Sequence, residues 1–160
     1  MRSNEWFVLN LRDAKWVGGP LGIFCEVEPE DARFEQVGIN ISLMQPGEAM
    51  TMYHRENAQE DFLVLDGECL LIVDGREQPL KKWDFFHCPS GVAHAILGAG
   101  AGPSLVLAVG ARTTTEVVYE ADPVAQKHGA AVAVETSSPK EAYAGMEFPV
   151  VTYKEGWLPE

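Results

Sequence analysis

Four residues of the types that bind metals lie in two short segments of this chain, and turn-forming residues frame each segment. His54, Glu56 and Glu60 follow a Pro-Gly turn signal, and His94 follows a Pro-Ser-Gly turn signal. Residues two apart on a strand project from the same face, so His54 and Glu56 can point at one site. Imidazole and carboxylate groups together suit a divalent metal. The chain is therefore expected to bring two distant segments to one metal site.

A closed or sandwich-like β structure supplies such convergence, because the inward positions of its strands face one cavity. Glu60 is expected to join His54 from the neighbouring strand across a short turn, and His94 is expected to arrive from a different hairpin. Short apolar runs bounded by turn residues predict the strands, at 6–11, 34–43, 61–65, 69–73, 78–80, 83–88, 92–97 and 105–110, with a hairpin turn at Asp74-Gly75. An antiparallel β-barrel is the predicted assembly.

Two motifs resemble those of the cupin superfamily. Residues 46–67, PGEAMTMYHRENAQEDFLVLDG, follow the first motif with His54 and Glu60 at ligand positions. Residues 83–98, WDFFHCPSGVAHAILG, follow the second motif with its Pro, its Gly and His94 in register. The resemblance implies an all-β fold, the antiparallel double-stranded β-helix or jelly-roll barrel, in which these three residues bind one metal ion.

The chain departs from the cupin pattern at three positions. Glu56 stands where the family usually has a second histidine, and Trp83 and Gly98 replace the opening glycine and closing asparagine of the second motif. The resemblance covers roughly residues 36–111. We expect Glu56 either to complete the metal shell as a fourth ligand or to act as a catalytic base beside the metal.

Such a site suits one divalent ion, which can be zinc, iron, manganese or nickel. The chemistry open to it is polarisation of a carbonyl or enolate, activation of bound water, or dioxygen chemistry if the metal is iron. The expected ligand is a small organic molecule with a chelating oxygen pair, and an enzyme of this kind would be an oxygenase or an isomerase/lyase. Four residues are expected to form the apolar pocket around it: Phe62, Val64, Phe86 and Ile96.

Other interpretations of the same residues stay open. The protein can be a non-catalytic barrel that binds a metal or small molecule, or a barrel that has lost its metal and fills its cavity with Met44, Met50 and Met52. A sugar-phosphate isomerase is a weaker variant, since no cluster of Lys and Arg is present to hold a phosphate. Cys88 is expected to be a buried thiol, with a sulfur that faces the metal as the alternative.

We expect the barrel to occupy residues 1–112 and a C-terminal extension to occupy residues 113–160. Asp122-Pro123 and Ser138-Pro139 each predict the start of a short helix. The extension is expected to pack on the barrel or on a partner subunit, and a homodimer is the expected assembly.

The net charge of −12 argues against a nucleic-acid partner, because phosphate contacts require a basic surface. No apolar run approaches the length that spans a bilayer, and no membrane association is expected. The three cysteines form no pattern typical of a disulfide framework. A cytoplasmic protein is the expected outcome.

Overall fold

Antiparallel strands dominate the computed structural model, which describes residues 6–29, 33–112 and 116–160. Strands β1 to β12 are Lys15–Gly19, Gly22–Glu26, Val37–Met44, His54–Glu56, Glu60–Asp66, Glu68–Val73, Arg76–Lys81, Phe85–Cys88, His94–Ala99, Ser104–Ala111, Val117–Tyr119 and Val150–Val151. Two short helices follow β11, α1 at Pro123–Lys127 and α2 at Pro139–Ala142, and one 3-10 turn precedes β1 at Leu11–Asp13.

The strands form two sheets. One has seven strands in the order β12-β1-β2-β3-β10-β5-β8, and the other has five strands in the order β11-β4-β9-β6-β7. Apolar side chains from both sheets meet in one buried cluster, which includes Met44, Phe62 and Val106 from the larger sheet and Leu71 and Ile96 from the smaller one. This arrangement confirms the predicted double-stranded β-helix.

Two non-glycine residues in turns between strands, Asp74 and Trp83, have left-handed backbone conformations. Asp74 and Gly75 have φ values of 46° and 68°, which fits a two-residue hairpin between β6 and β7 and confirms the predicted turn. Trp83 has a φ of 75°, and its side chain is 67% exposed. Strand β8 therefore begins only at Phe85, and the prediction that the strand starts at Trp83 is wrong.

The N-terminal part of the barrel differs from the sequence prediction. Residues 6–10 form no strand, and the Asn10 side chain accepts a hydrogen bond from the backbone N–H of Arg12 to start the 3-10 turn. The predicted strand at 6–11 is therefore wrong. Strands β1 and β2 instead form a hairpin in which Gly19 pairs with Gly22. Strand β1 also pairs with β12 near the end of the chain.

The C-terminal residues from 116 onward pack on the barrel. Helix α1 begins where the Asp122 side chain accepts hydrogen bonds from two backbone N–H groups, and α2 begins at a Ser138 cap, as the two Pro-containing signals predict. Ala125 and Ala142 from these helices belong to the same buried cluster as barrel residues such as Ile72. Within the described ranges, no helix is both long and apolar enough to cross a membrane.

Candidate metal centre

Three predicted ligands converge at one wall of a cavity between the sheets. The Oε2 atom of Glu60 lies 3.4 Å from Nε2 of His94 and 3.6 Å from Nε2 of His54. One ligand atom from each of these residues can be chosen so that all lie within 4.8 Å of one another. Both histidines are buried, whereas the Glu60 side chain is 17% exposed toward the cavity.

The strands that supply these ligands differ from the prediction. His54 on β4 is directly paired with His94 on β9, so the two histidines come from neighbouring strands of the five-stranded sheet. Glu60 on β5 belongs to the seven-stranded sheet, and its carboxylate reaches the two histidines from that facing sheet. Strand β4 ends at Glu56 and β5 begins at Glu60, so the chain crosses between the sheets within residues 57–59. The strand next to His54 therefore carries His94 and not Glu60, and Glu60 comes from the other sheet.

Backbone carbonyls orient both imidazole rings. Nδ1 of His54 lies 2.8 Å from the carbonyl oxygen of Met52, and Nδ1 of His94 lies 3.2 Å from that of Val92. A carbonyl can only accept a hydrogen bond, so each Nδ1 carries a proton and each Nε2 is the ring atom available to a metal beside Glu60. Protein ligands of metals are typically held in this way.

Cys88 lies behind the His94 ring. Its Sγ is 3.3 Å from Nδ1 of His94 and 3.5 Å from the carbonyl oxygen of Val92. The Nδ1 edge of the ring faces away from Glu60, so the sulfur packs against the back of this ligand. Burial raises the pKa of the Cys88 thiol to about 12, which keeps it protonated. The buried-thiol expectation agrees with this position.

The charges of the cluster depend on one another. Burial, together with the neighbouring His54, lowers the pKa of His94 to about 4, so this ring is neutral. Burial opposes protonation of His54 as well, but the Glu60 carboxylate outweighs it and raises the pKa of His54. Burial also acts on Glu60, yet the two histidines lower the pKa of its carboxyl. In this protein an ionised carboxylate therefore faces two imidazole nitrogens.

Glu56 lies at the edge of this group. Its Oε1 is 3.8 Å from Nε2 of His54, and its side chain is 33% exposed. Burial, followed by repulsion from the Glu60 carboxylate, raises the pKa of Glu56. A carboxyl whose pKa lies above its usual range is a stronger base than an ordinary surface glutamate.

The cavity has a volume of about 440 Å³, and its lining is mainly apolar. Phe62 and Ile96 line it as expected, whereas Val64 and Phe86 are absent from its wall. Val64 is instead 1% exposed inside the inter-sheet core. Nineteen residues line the cavity: Leu21, Gly22, Ile23, Phe24, Asn40, Ser42, Met44, Met50, Thr51, His54, Glu56, Glu60, Phe62, His94, Ile96, Ala108, Tyr119, Tyr143 and Phe148.

The methionines do not fill this space. Met44 and Met50 contribute to its wall, and Met52 is buried in a separate cluster on the other face of the smaller sheet. A barrel whose cavity is filled by these three side chains is therefore not what the structure shows.

Sequence reasoning missed the outer wall of the cavity. Tyr119 of β11, Tyr143 after α2 and Phe148 all line it, although they lie beyond both cupin motifs. The Tyr119 ring packs 5.8 Å from the His54 ring. Residues 116–148 are no richer in aromatics than the whole chain, and no spacing rule connects these three residues to His54 or His94.

The donor set fits a divalent metal. Two imidazole nitrogens and a carboxylate oxygen around an ion with bonds of 2.0–2.2 Å are separated by about 3.3 Å when the geometry is tetrahedral. The two separations from Glu60 are 3.4 and 3.6 Å, which are close to this value. Three protein ligands also leave positions open for a substrate.

Comparison with known proteins agrees with the observed fold. Residues 40–110 match the model of the cupin domain family. A candidate sugar phosphate isomerase from Acidithiobacillus ferrooxidans is 26% identical over 62% of this chain and 65% of its own length, with a TM-score of 0.53. This chain therefore spans just under two thirds of that protein. No curated protein matches the chain significantly in sequence.

Two further structures share the fold at lower identity. The polyketide cyclase RemF from Streptomyces resistomycificus is 15% identical over 77% of this chain and 93% of its own length, with a TM-score of 0.62. A sugar phosphate isomerase of the cupin superfamily from Silicibacter pomeroyi is 21% identical over 83% of this chain and 76% of its own length, with a TM-score of 0.53. The family match, the two facing sheets and the two motifs together identify residues 40–110 as a cupin domain.

Proposed function

We propose that this protein binds one divalent metal ion through His54, Glu60 and His94 and uses it to bind, and as an enzyme to transform, a small oxygenated organic molecule. The observation that carries the proposal is the convergence of their Nε2 and Oε2 atoms at the wall of a cavity of about 440 Å³. A cavity of this size accommodates a small organic ligand. Zinc, iron, manganese and nickel all suit the donor set.

The bound metal would supply a Lewis acid that polarises a carbonyl, enolate or water oxygen. The protein supplies the rest of the chemistry. Phe62 and Ile96 exclude water from one side of the site, and the half-buried Glu56 carboxylate stands beside His54 where it can accept a proton from a ligand in the cavity. This arrangement favours an isomerase or lyase, with an oxygenase as the alternative if the metal is iron.

A non-catalytic binding protein is the competing proposal. It needs the same three ligands but a saturated shell, with Glu56 as the fourth ligand. The exposure of the Glu56 side chain, and its absence from the group of ligand atoms that lie within 4.8 Å of one another, favour a base over a ligand. If Glu56 is a ligand, its removal should strongly lower the metal affinity. If it is a base, its removal should leave most of that affinity.

Metal content tests the site. Protein purified without a metal-affinity tag and analysed by inductively coupled plasma mass spectrometry should contain about one metal equivalent per chain. His54→Ala and His94→Ala should abolish metal retention while the circular dichroism spectrum of the β-barrel persists. His128→Ala is the matched control, because His128 pairs with Glu77 on the surface of the protein. Equal metal content in the wild type and both ligand variants would refute the assignment.

We also propose a homodimer and a cytoplasmic location. Strand β8 forms one edge of the seven-stranded sheet, and the exposed Trp83 and Phe85 side chains lie beside that edge. An exposed strand edge favours pairing with another chain.

The proposed cytoplasmic location rests on the cysteines. Cys25, Cys69 and Cys88 are free thiols, which supports a reducing compartment.

A further inference from the structure

Residues beyond the cupin motifs build an aromatic wall that leads from the metal ligands to the protein surface. The ring of His54 packs 5.8 Å from that of Tyr119, Tyr119 packs edge to face with Tyr143 at 5.5 Å, and Tyr143 packs edge to face with Phe148 at 6.0 Å. Exposure rises along this series, from 5% at His54 and 7% at Tyr119 to 39% at Phe148. The wall therefore faces any ligand that reaches the metal site from outside.

Close packing against Gly19 fixes the outer end of the wall. A Cβ atom added at Gly19 would lie 2.5 Å from Cδ1 of Phe148, so the phenyl ring occupies the space that any side chain at position 19 would need. Gly19 ends β1, whose neighbour Gly18 makes a backbone hydrogen bond to Pro149. Phe148 is thus held against the first hairpin of the barrel at the mouth of the cavity.

The wall also carries hydroxyl groups. The Tyr143 hydroxyl accepts a hydrogen bond from the backbone N–H of Met52, which fixes its position. Burial raises the pKa of Tyr119 and of Tyr143, so both remain protonated at neutral pH. The two hydroxyls also hydrogen-bond to each other, so the pair keeps one O–H donor for a ligand at the cavity wall.

The described lining of the cavity has no lysine or arginine to hold an anion. Among the described residues that line it, none is lysine or arginine, while Glu56 and Glu60 contribute two carboxylates. Arg55, the nearest arginine along β4, pairs with Glu120 instead. A divalent metal would only balance the two carboxylates, so a phosphate or a second carboxylate on the ligand would find no partner.

From these observations we propose that the cavity selects an uncharged, flat, aromatic or enolic molecule with a pair of adjacent oxygens. The oxygen pair binds the metal, the ring packs along the wall formed by Tyr119, Tyr143 and Phe148, and the Tyr119 hydroxyl donates a hydrogen bond to one of the two oxygens. This inference rests on the proposed metal site and adds its substrate class.

Two catechols of equal chelating shape test the substrate class. Zinc-loaded protein is titrated by calorimetry with 4-methylcatechol and with 3,4-dihydroxybenzoate. The first carries a methyl group at the position where the second carries a carboxylate. The carboxylate makes the catechol oxygens more acidic and by itself favours metal binding, so a preference for the methyl compound reports on the cavity. We expect 4-methylcatechol to bind at least about tenfold more tightly. Equal affinity, or tighter binding of the anion, overturns the inference.

Tyr119→Phe tests the hydroxyl contact. We expect it to weaken 4-methylcatechol binding by roughly fivefold, since one neutral hydrogen bond is lost, while the zinc content stays the same. Tyr53→Phe is the matched control, because Tyr53 is equally buried and accepts a hydrogen bond from Gly75 outside the cavity. Unchanged affinity in Tyr119→Phe removes this residue from ligand recognition.

Failure of the metal site and failure of this inference give different results. A wild-type protein that takes up no zinc overturns the proposed function and the inference together. Zinc uptake that depends on His54 and His94, combined with a preference for the anionic catechol, overturns the inference alone. The comparison of the two ligands uses the wild-type protein, so it does not depend on the folding of any variant.

Discussion

Single residues explain where this chain departs from the cupin motifs. A Cβ atom at Gly98 would lie 2.3 Å from the carbonyl oxygen of Gln45, a backbone atom that has no room to move. The asparagine that usually closes the second motif therefore cannot fit at this position. The replacement of the family's usual histidine by Glu56 has a chemical effect. A carboxylate beside a metal can exchange protons, whereas an imidazole bound to the metal cannot.

The role of Glu56 can be separated from that of Glu60 by removing one charge at a time. Glu60 lies within 3.6 Å of both histidine Nε2 atoms, so Glu60→Gln should lower zinc affinity by more than about 100-fold. Glu56→Gln should lower it by less than about tenfold, because the three ligands of the cluster remain. Competition with a chromogenic chelator measures both values. A loss in Glu56→Gln as large as that in Glu60→Gln would identify Glu56 as a ligand.

The turn before strand β8, in the second motif, has an unusual backbone conformation. Trp83 stands where the family has glycine, and the backbone keeps the left-handed conformation that glycine adopts easily. Its N–H donates to the carbonyl of Val64, and Asp84 accepts a hydrogen bond from the N–H of Lys81, so the turn is fixed by its own contacts. The strain is therefore tolerated within a rigid turn.

Relief of this strain should stabilise the protein. We expect Trp83→Gly to be more stable than Trp83→Ala by about 1 kcal/mol, because alanine keeps the Cβ atom that disfavours a positive φ. Alanine is the required comparison, since both variants lose the contact between the Trp83 ring and Lys82 Nζ, which lies 5.5 Å from the ring centroid. Urea unfolding measures the difference. Equal stability of the two variants would show that the turn carries no strain.

The strands that carry the motifs could be predicted because their signal is local. Alternating apolar residues and the Asp74-Gly75 pair are sufficient to identify β5, β6 and β7 in outline. The sheet to which each strand belongs could not be predicted in this way. Glu60 lies only six residues after His54, yet the chain changes sheets between them. Short separation in the sequence therefore suggested the wrong neighbour for His54, which pairs with His94.

The same limit applies to the site. His54, Glu60 and His94 could be named from motif spacing, and the structure brings them together. Tyr119 and Tyr143 could not, because their place at the cavity depends on how residues beyond 116 pack on the barrel. The two cupin motifs contain no position for these tyrosines, so motif spacing could not connect them to the site.

For the whole molecule, metal binding should be coupled to stability. The ligands come from opposite sheets, so an ion bound to both holds the barrel closed and binds the folded state alone. Zinc at about 100 times its Kd should stabilise the fold by about 2.7 kcal/mol, which raises the Tm by roughly 5–10 °C. Differential scanning calorimetry with zinc and then with excess chelator measures the shift. His94→Ala should show no shift, and an equal shift in that variant would place the zinc elsewhere.

The pairing of β1 with β12 joins Trp16 to Val151 and thereby links the two ends of the described chain. On the ribosome, a growing chain therefore contains all of its metal ligands once residue 94 has emerged, but it cannot seat Phe148 or close the mouth of the cavity until more than 50 further residues have been added. An incomplete chain could bind a metal ion before it can discriminate among ligands. Selectivity would thus follow metal binding by more than 50 residues of synthesis.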